Sequence, residues 1–489
     1  YYMEQIQDLI KRHIDANGYT IYSLASICGI NRTTLQKVLA GQRKLTTQMY
    51  EKLIPFFSLS PSEKAEFDKY FLIDQIGQDR YQTHMQIRNI LETPADLLGQ
   101  SSAIQADSFI TDVSEIPDYA FIHDQFHITS FIYSIVRYAV KNFEDPYLYI
   151  FADMSKSYIS NLLKLFYNEE FSSLTTTQLI EFCKVRDLHG NYDNMHNLQC
   201  IANLLPFFSA CTGNFSVHYY YAAHNDFQME VIAFPNYIIT NTHVIFLSPD
   251  FREAFFVANE EFHQHYLDVY NSALSRSHTL TNGKQSPSEL LDQIMDSSPA
   301  TYPEHNMCIN VQPTFEKFFT PSMLDKYMYD TPYRDILKTK LLARIKQLES
   351  ENHTVLFTYE GLELFSRYGK VMSFPDNLAA RTDVADRITI LNRIIESNAN
   401  AEDYTFLLID RNKLRTSLNL TISFAPPMTT YIMLTRNDGI TICIPLCEYS
   451  ICSSIMDFVQ MLPQYDMILS VEDTNRILQN HIDELSQQL

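Results

Sequence analysis

Glycine is scarce in this chain, 11 in 489 residues. That scarcity disfavours glycine-rich phosphate loops and β-barrels that need glycine at their corners. Nothing matches G-x-G-x-x-G or G-x-x-x-x-G-K-[ST]. No apolar run reaches about 18 residues, so no membrane span is expected. The first residues contain acids and no apolar leader core, so no signal peptide is expected; Met3 reads as the natural start, with Tyr1 and Tyr2 as additions ahead of it. Eight cysteines lie scattered without paired spacing, which fits free thiols in a reducing cytoplasm. There is no G-x-S-x-G elbow, and no spacing pairs two carboxylates for acid–base work. The expectation is therefore no enzyme and no cofactor.

What is present can bury large cores: 46% of residues are hydrophobic and 13% aromatic, enough for about two to four domains. The charge is uneven. Residues 1–57 hold seven Lys and Arg (Lys11, Arg12, Arg32, Lys37, Arg43, Lys44, Lys52) against four acids (Glu4, Asp8, Asp15, Glu51), a balance of +3. The whole chain carries −21, so residues 58–489 carry −24. A basic module on an acidic body points to one anion-binding end.

Within that basic module, residues 20–45 (TIYSLASICGINRTTLQKVLAGQRKL) read as two short helices with a tight turn. Leu24 and Ala25 sit midway along the first helix, Gly29 breaks it and Ile30 plugs the turn. Asn31 is placed to cap the second helix. Leu35, Val38 and Leu39 recur at i, i+3 and i+4, so one face is apolar. The other face carries Arg32, Thr33, Gln36 and Lys37, and Gly41 ends the helix. Hydrogen-bonding and cationic groups without a carboxylate suit a polyanion with readable base edges. The same pattern also fits an ordinary helical hairpin.

The register of Leu24, Ala25, Gly29, Ile30, Arg32, Leu35 and Gly41 resembles, without a gap, the λ-repressor-like (Cro-like) helix-turn-helix family. Helical patterns over residues 3–16 and 46–57 complete the bundle such domains use. The resemblance covers about the first 60 to 75 residues. It implies that Thr20 and Tyr22 open the first helix where relatives touch phosphate. It places Arg32, Thr33, Thr34, Gln36 and Lys37 where relatives meet bases and flanking phosphates. Arg32 or Lys37 would pair with guanine and Gln36 with adenine. Gln42, Arg43 and Lys44 would hold backbone phosphate. Ile21 departs from the family, where many relatives have Gln, and one phosphate clamp is weakened.

The fold class expected is mainly α with α/β parts: an N-terminal λ-repressor-like helical bundle followed by a large mixed α/β body. The domain reading is 1–76 for the DNA-binding domain, 77–118 for a connecting helix and linker, then regulatory domains at 119–300 and 301–489. Ser60, Pro61 and Glu63 signal a helix start, and Gly77 breaks that helix. A second amphipathic helix follows at 78–92, with Tyr81, Met85, Ile87 and Ile90 inward. Residues 93–118 read as a linker. Residues 120–208 look mostly helical, at 125–142, 155–168 and 175–184. Residues 228–247 read as strands and 258–275 as a helix. Residues 276–302 read as a loop or boundary, and helices resume at 314–329 and 331–349. The C-terminal part alternates strands (354–358, 404–409, 418–424, 430–435, 439–445) with helices (383–397, 449–461, 472–487). Residues 228–275 and 417–462 echo one another in pattern.

Candidate chemistry in the body is thin. Cys443, Cys447 and Cys452 lack zinc-ribbon spacing and read as buried small hydrophobes. His123 and His127 would share a helix face near Asp124; His263 and His265 follow Glu260 and Glu261. Neither pair makes a metal motif. Tyr219, Tyr220 and Tyr221 would line an effector pocket or, more simply, pack in a core.

The function expected is a cytoplasmic, sequence-specific transcriptional regulator. It would bind double-stranded DNA as a homodimer and answer a small-molecule, peptide or protein effector through its body, with no membrane partner and no metal. The rivals are a DNA-tethered enzyme with chemistry in residues 120–489, and a regulator whose body docks another protein.

Overall fold

The computed structural model describes residues 5–92, 118–166, 168–183, 195–210, 214–221, 234–282, 306–332, 334–348, 353–372, 374, 379–400, 404–416, 420–425, 429–435, 441–446 and 448–489. Met3, most of the 93–118 linker, residues 228–233 and most of the 276–302 loop lie outside them. The chain is mainly helical, with α/β parts and a helical N-terminal region. It divides into two compact units, Tyr1–Gln86 and Ile87–Leu489.

The first unit contains α1 (Ile6–Ala16), α2 (Ile21–Ile27), α3 (Arg32–Leu39), α4 (Thr47–Leu53) and α5 (Pro61–Ile76). Four of these five helices begin at a residue whose side chain caps them, Thr20, Asn31, Thr46 and Ser60. Thr20 and Ser23 form a capping box on α2, and Ser60 with Glu63 forms another on α5. Asn31 caps α3 by accepting from the amides of Thr33 (2.9 Å) and Thr34 (3.2 Å). Reciprocal caps satisfy amides that the first turn leaves without partners.

Four glycines terminate helices in this unit, Gly18, Gly29, Gly41 and Gly77. Gly29 and Gly41 take φ of +62° and +70°, the left-handed conformation that a side chain resists. After α2, the amide of Ile30 donates to the carbonyl of Ala25 (2.8 Å) and that of Gly29 to Ser26 (3.3 Å). After α3, Gln42 donates to Lys37 (2.8 Å) and Gly41 to Val38 (2.9 Å). Both ends are Schellman motifs, so the chain turns sharply twice within one small bundle. The core gathers Leu9, Ile10 and Ile14 of α1, Leu24 and Ala25 of α2, and Leu35, Val38 and Leu39 of α3. Leu53 of α4 and Phe67 of α5 join them, with Ile30 packed at the edge. Helix α6 (Gln78–Glu92) follows, and the unit boundary falls within it. His84, Ile87, Ile90 and Leu91 are its buried residues; Tyr81 and Met85 are only partly so.

The second unit is built on two mixed sheets. The first has strand order β1-β7-β6-β5-β2-β3-β4-β8 and the second β11-β10-β9-β12-β13-β14. The first sheet uses β1 (Tyr119–His123), β2 (Tyr147–Phe151), β3 (Thr175–Phe182), β4 (Asn214–Tyr221), β5 (Asn236–Thr240), β6 (Val244–Leu247), β7 (Glu253–Val257) and β8 (His278–Asn282). Its helices are α7 (Gln125–Asn142), α8 (Ser157–Lys164), α9 (Met195–Ala210) and α10 (Glu260–Leu274). The second sheet uses β9 (Asn306–Asn310), β10 (His353–Phe357), β11 (Tyr404–Leu408), β12 (Leu420–Ala425), β13 (Thr429–Thr435) and β14 (Thr441–Leu446). Its helices are α11 (Pro321–Tyr327), α12 (Arg334–Leu348), α13 (Tyr359–Tyr368), α14 (Val384–Ala399), α15 (Tyr449–Met461) and α16 (Val471–Ser486). Among the described residues, no helix is long and apolar enough to cross a membrane.

The two sheets share one topology. In the first, β2, β3 and β4 run parallel, and β5 leaves on the other side of β2 as an antiparallel meander through β6 and β7. In the second, β9, β10 and β11 run parallel, and β12 leaves beside β9 as the same meander through β13 and β14. A helix follows each meander, α10 and α15. The chain then returns antiparallel to the third parallel strand: β8 along β4, and a single bridge at Ile468 beside Ile409, just past β11. The echo between residues 228–275 and 417–462 is thus the meander-plus-helix half of a unit that occurs twice.

Three expectations need correction. The helix expected over 175–184 is overturned where it is described: 175–182 form β3, a parallel strand between β2 and β4. It is buried on both faces, so it shows no alternation, and its apolar spacing imitates a helix. The run Thr175-Thr176-Thr177 is the β-branched signal that favours a strand there. Likewise β1 and β2 interrupt the stretch read as mostly helical. Finally, residues 278–282 of the expected loop form the edge strand β8.

Candidate nucleic-acid interface

The hairpin of α2 and α3 sorts its side chains cleanly. Leu35, Val38 and Leu39 of α3 are buried, and on the far side Arg32, Thr33, Gln36 and Lys37 are exposed. Thr34 is half-buried, and its amide is engaged by the Asn31 cap. From Ala16 to Tyr50 there is no Asp or Glu, so the exposed face carries cations and neutral hydrogen-bonding groups only. Thr20 is exposed, but its hydroxyl is occupied by the capping box of α2.

Tyr22 stands out from the first turn of α2 with 68% of its surface exposed. The Arg32 guanidinium lies 5.8 Å from the centre of its ring, within cation–π reach. This contact, which the linear sequence does not disclose, fixes the direction of a flexible cation at the start of α3. Past α3, Gln42 and Arg43 are exposed. Lys44 donates from Nζ to the carbonyl of Gln75 (3.1 Å), so its ammonium sits on the last turn of α5.

An exposed Arg and Gln one helical turn apart offer planar donor and acceptor pairs of the kind that match purine edges, and Lys37 and Arg43 offer point charges for phosphate. The structure brings Tyr22, Arg32, Thr33, Gln36 and Lys37 to the hairpin's exposed side. Thr34 contributes through its capped amide. Burial raises the thiol pKa of Cys28 beneath this face and keeps it a neutral packing residue.

The other groups singled out by spacing resolve separately. His123 lies on β1 and His127 on α7, so they share no helix face. Between them Asp124 takes φ +82°, and each imidazole pairs with its own carboxylate: His123 with Glu253 (3.5 Å) and His127 with Asp124 (3.0 Å). His263 Nε2 meets the carbonyl of Thr240 at 2.6 Å, and His265 packs edge-on to Tyr266. Cys452 is buried and donates from Sγ to the Leu446 carbonyl (3.0 Å). The Cys443 side chain and Cys447 lie outside the described residues.

The tyrosine triplet splits by strand alternation. Tyr219 packs on Phe182 and His278. Tyr220 donates to Glu181 (2.9 Å) and Tyr221 to Glu448 (3.0 Å). Spacing rules pass over one group of metal-ligating side chains, Asp153, His196 and Cys200. Compared with protein-family models and with curated proteins, the chain matches none.

Proposed function

We propose that this protein is a sequence-specific DNA-binding transcriptional regulator that reads the major groove of double-stranded DNA with α3. One observation carries the reading. Arg32, Thr33, Gln36 and Lys37 are exposed together on the side of α3 opposite buried Leu35, Val38 and Leu39, in a stretch without a carboxylate. The major groove, about 12 Å wide, admits one helix. Arg32 and Gln36 read base edges, Lys37 reads a base or a flanking phosphate, and Tyr22, Gln42 and Arg43 hold the backbone.

One such module reads few base pairs, so the protein acts as a homodimer on a two-fold site. The body, residues 119–489, answers an effector and sets the spacing of the two readers. The −24 charge of residues 58–489 repels DNA and confines contact to the N-terminal unit. The protein works in the cytoplasm. A salt titration of DNA affinity tests the phosphate part. The logarithm of the association constant should fall linearly with that of salt, and Arg43→Ala should shallow the slope by about one charge. An affinity indifferent to salt would exclude the reading.

A further inference from the structure

The carboxyl ends of β2 and β3 hold a cluster of side chains with the chemistry of a metal site. Asp153 follows β2, and His196 and Cys200 lie one turn apart on α9. Their ligand atoms all fall within 4.8 Å of one another. Cys200 Sγ and His196 Nε2 are 3.6 Å apart. Ordinary Zn–S and Zn–N bonds meeting at a tetrahedral angle put sulfur and nitrogen about 3.6 Å apart.

The supports around the cluster are side-chain amides, two of them buried. Asn197, wholly buried on α9, accepts from the Cys183 amide (2.8 Å) and donates to the Cys183 carbonyl (3.0 Å), locking α9 to the end of β3. Asn203 of α9 donates to the Met154 carbonyl (2.8 Å), locking it to the chain after β2. Asn236, also buried, accepts from the Asp153 amide (2.9 Å), and the Asp153 carboxylate accepts from the Ser155 amide (2.9 Å). Three ligands on two elements are therefore held from behind, as a metal site requires. The place also suits a ligand: β2 is where the parallel strands meet the antiparallel meander, and open α/β sheets bind ligands at the carboxyl ends of such strands.

We infer that Asp153, His196 and Cys200 bind one Zn²⁺ and tie α9 to the end of β2. One thiolate, one imidazole and one carboxylate form a borderline-soft donor set, unlike the all-oxygen shells of Ca²⁺ and Mg²⁺. Three protein donors leave a fourth coordination position open. Loading sends the thiol proton to solvent. His196 Nε2, which also lies 3.2 Å from the Glu181 carbonyl, then gives its lone pair to the metal and keeps its ring proton on Nδ1. The site lies wholly within the second unit and is independent of DNA.

Cobalt titration of the full chain, after stripping with a chelator, tests this directly. Co²⁺ should raise one equivalent of near-ultraviolet thiolate-to-cobalt absorption that Zn²⁺ abolishes. The band should vanish in Cys200→Ser, and Asp153→Asn should weaken Co²⁺ at least about tenfold. No band in the native protein, or a band unchanged in a folded Cys200→Ser, overturns the assignment and leaves a plain thiol–imidazole hydrogen bond. Should Cys200→Ser fail to fold, Asp153→Asn decides, because that side chain is only partly buried; unchanged cobalt affinity there overturns it equally.

Discussion

Asn31 sets where α3 begins. Its side-chain oxygen takes the amides of Thr33 and Thr34, two of the four that α3 cannot satisfy internally. Asn31→Ala should cost the N-terminal unit about 1 kcal/mol, read as a lower denaturant midpoint with an unchanged slope; an unaltered midpoint would mean that water caps α3 equally well. A buried histidine makes a second residue-scale case. His243 is 7% exposed, with Nδ1 2.8 Å from Thr242 Oγ1 and Nε2 without a hydrogen-bond partner among the described residues. Burial, opposed by Asp118 and aided by His263, lowers its pKa from 6.5 to about 4. The folded state therefore refuses a proton that the unfolded chain accepts below pH 6.5. The associated stability is complete above pH 6.5 and falls as pH drops towards 4, by up to about 1.4 kcal/mol per unit. Denaturation at pH 7.5 and pH 5 should show this loss, and His243→Gln should remove part of it; equal slopes in the two proteins would contradict the assignment. Burial lowers His218 and His481 in the same direction, so some slope remains in the variant.

At the scale of elements, packing decides what caps only begin. Leu35 is completely buried among α1, α2 and α3, and Leu35→Ala should destabilise the first unit by about 2–5 kcal/mol. Gly41→Ala should cost about 1–2 kcal/mol through its positive φ alone, since a Cβ there meets nothing within 4 Å. Both are measured by chemical denaturation of the full chain, following the transition that the first unit gives. A Gly41→Ala loss as large as that of Leu35→Ala would point to crowding instead of backbone conformation. Elements were legible where a one-sided apolar stripe met a cap. The pattern of α3 with Asn31, of α5 with Ser60 and Glu63, and of α15 over residues 449–461 reads directly from residue order. Strand β3 did not, because a strand buried on both faces loses the alternation that marks a half-exposed one. Strand β2 does alternate in burial, but its run of Tyr, Leu, Tyr, Ile and Phe is apolar or aromatic throughout and shows no polar alternation.

At the scale of the whole molecule, sequence order discloses composition better than assembly. The +3 balance of residues 1–57 and the exposed set on α3 are local, so the candidate interface could be named residue by residue. The contact of Arg32 with Tyr22 crosses the turn, and the tie of Lys44 to Gln75 spans 31 positions; neither shows in the linear pattern. The cluster of Asp153, His196 and Cys200 was hidden for the same reason, since Asp153 reaches the other two only when α9 folds onto the ends of β2 and β3. The echo between the two meanders was visible as a pattern, whereas the shared parallel strands needed the register of both sheets. The central claim is that the exposed side chains of α3 read base sequence. Its most direct measurement compares the native protein with the double variant Arg32→Ala, Gln36→Ala on DNA enriched from a random pool and on scrambled DNA of equal length. The variant, with an unchanged circular dichroism spectrum, should lose about 2–6 kcal/mol on the enriched DNA, the sum of two base contacts, and bind scrambled DNA nearly as the native protein does. Undiminished preference for the enriched DNA in the double variant would contradict it.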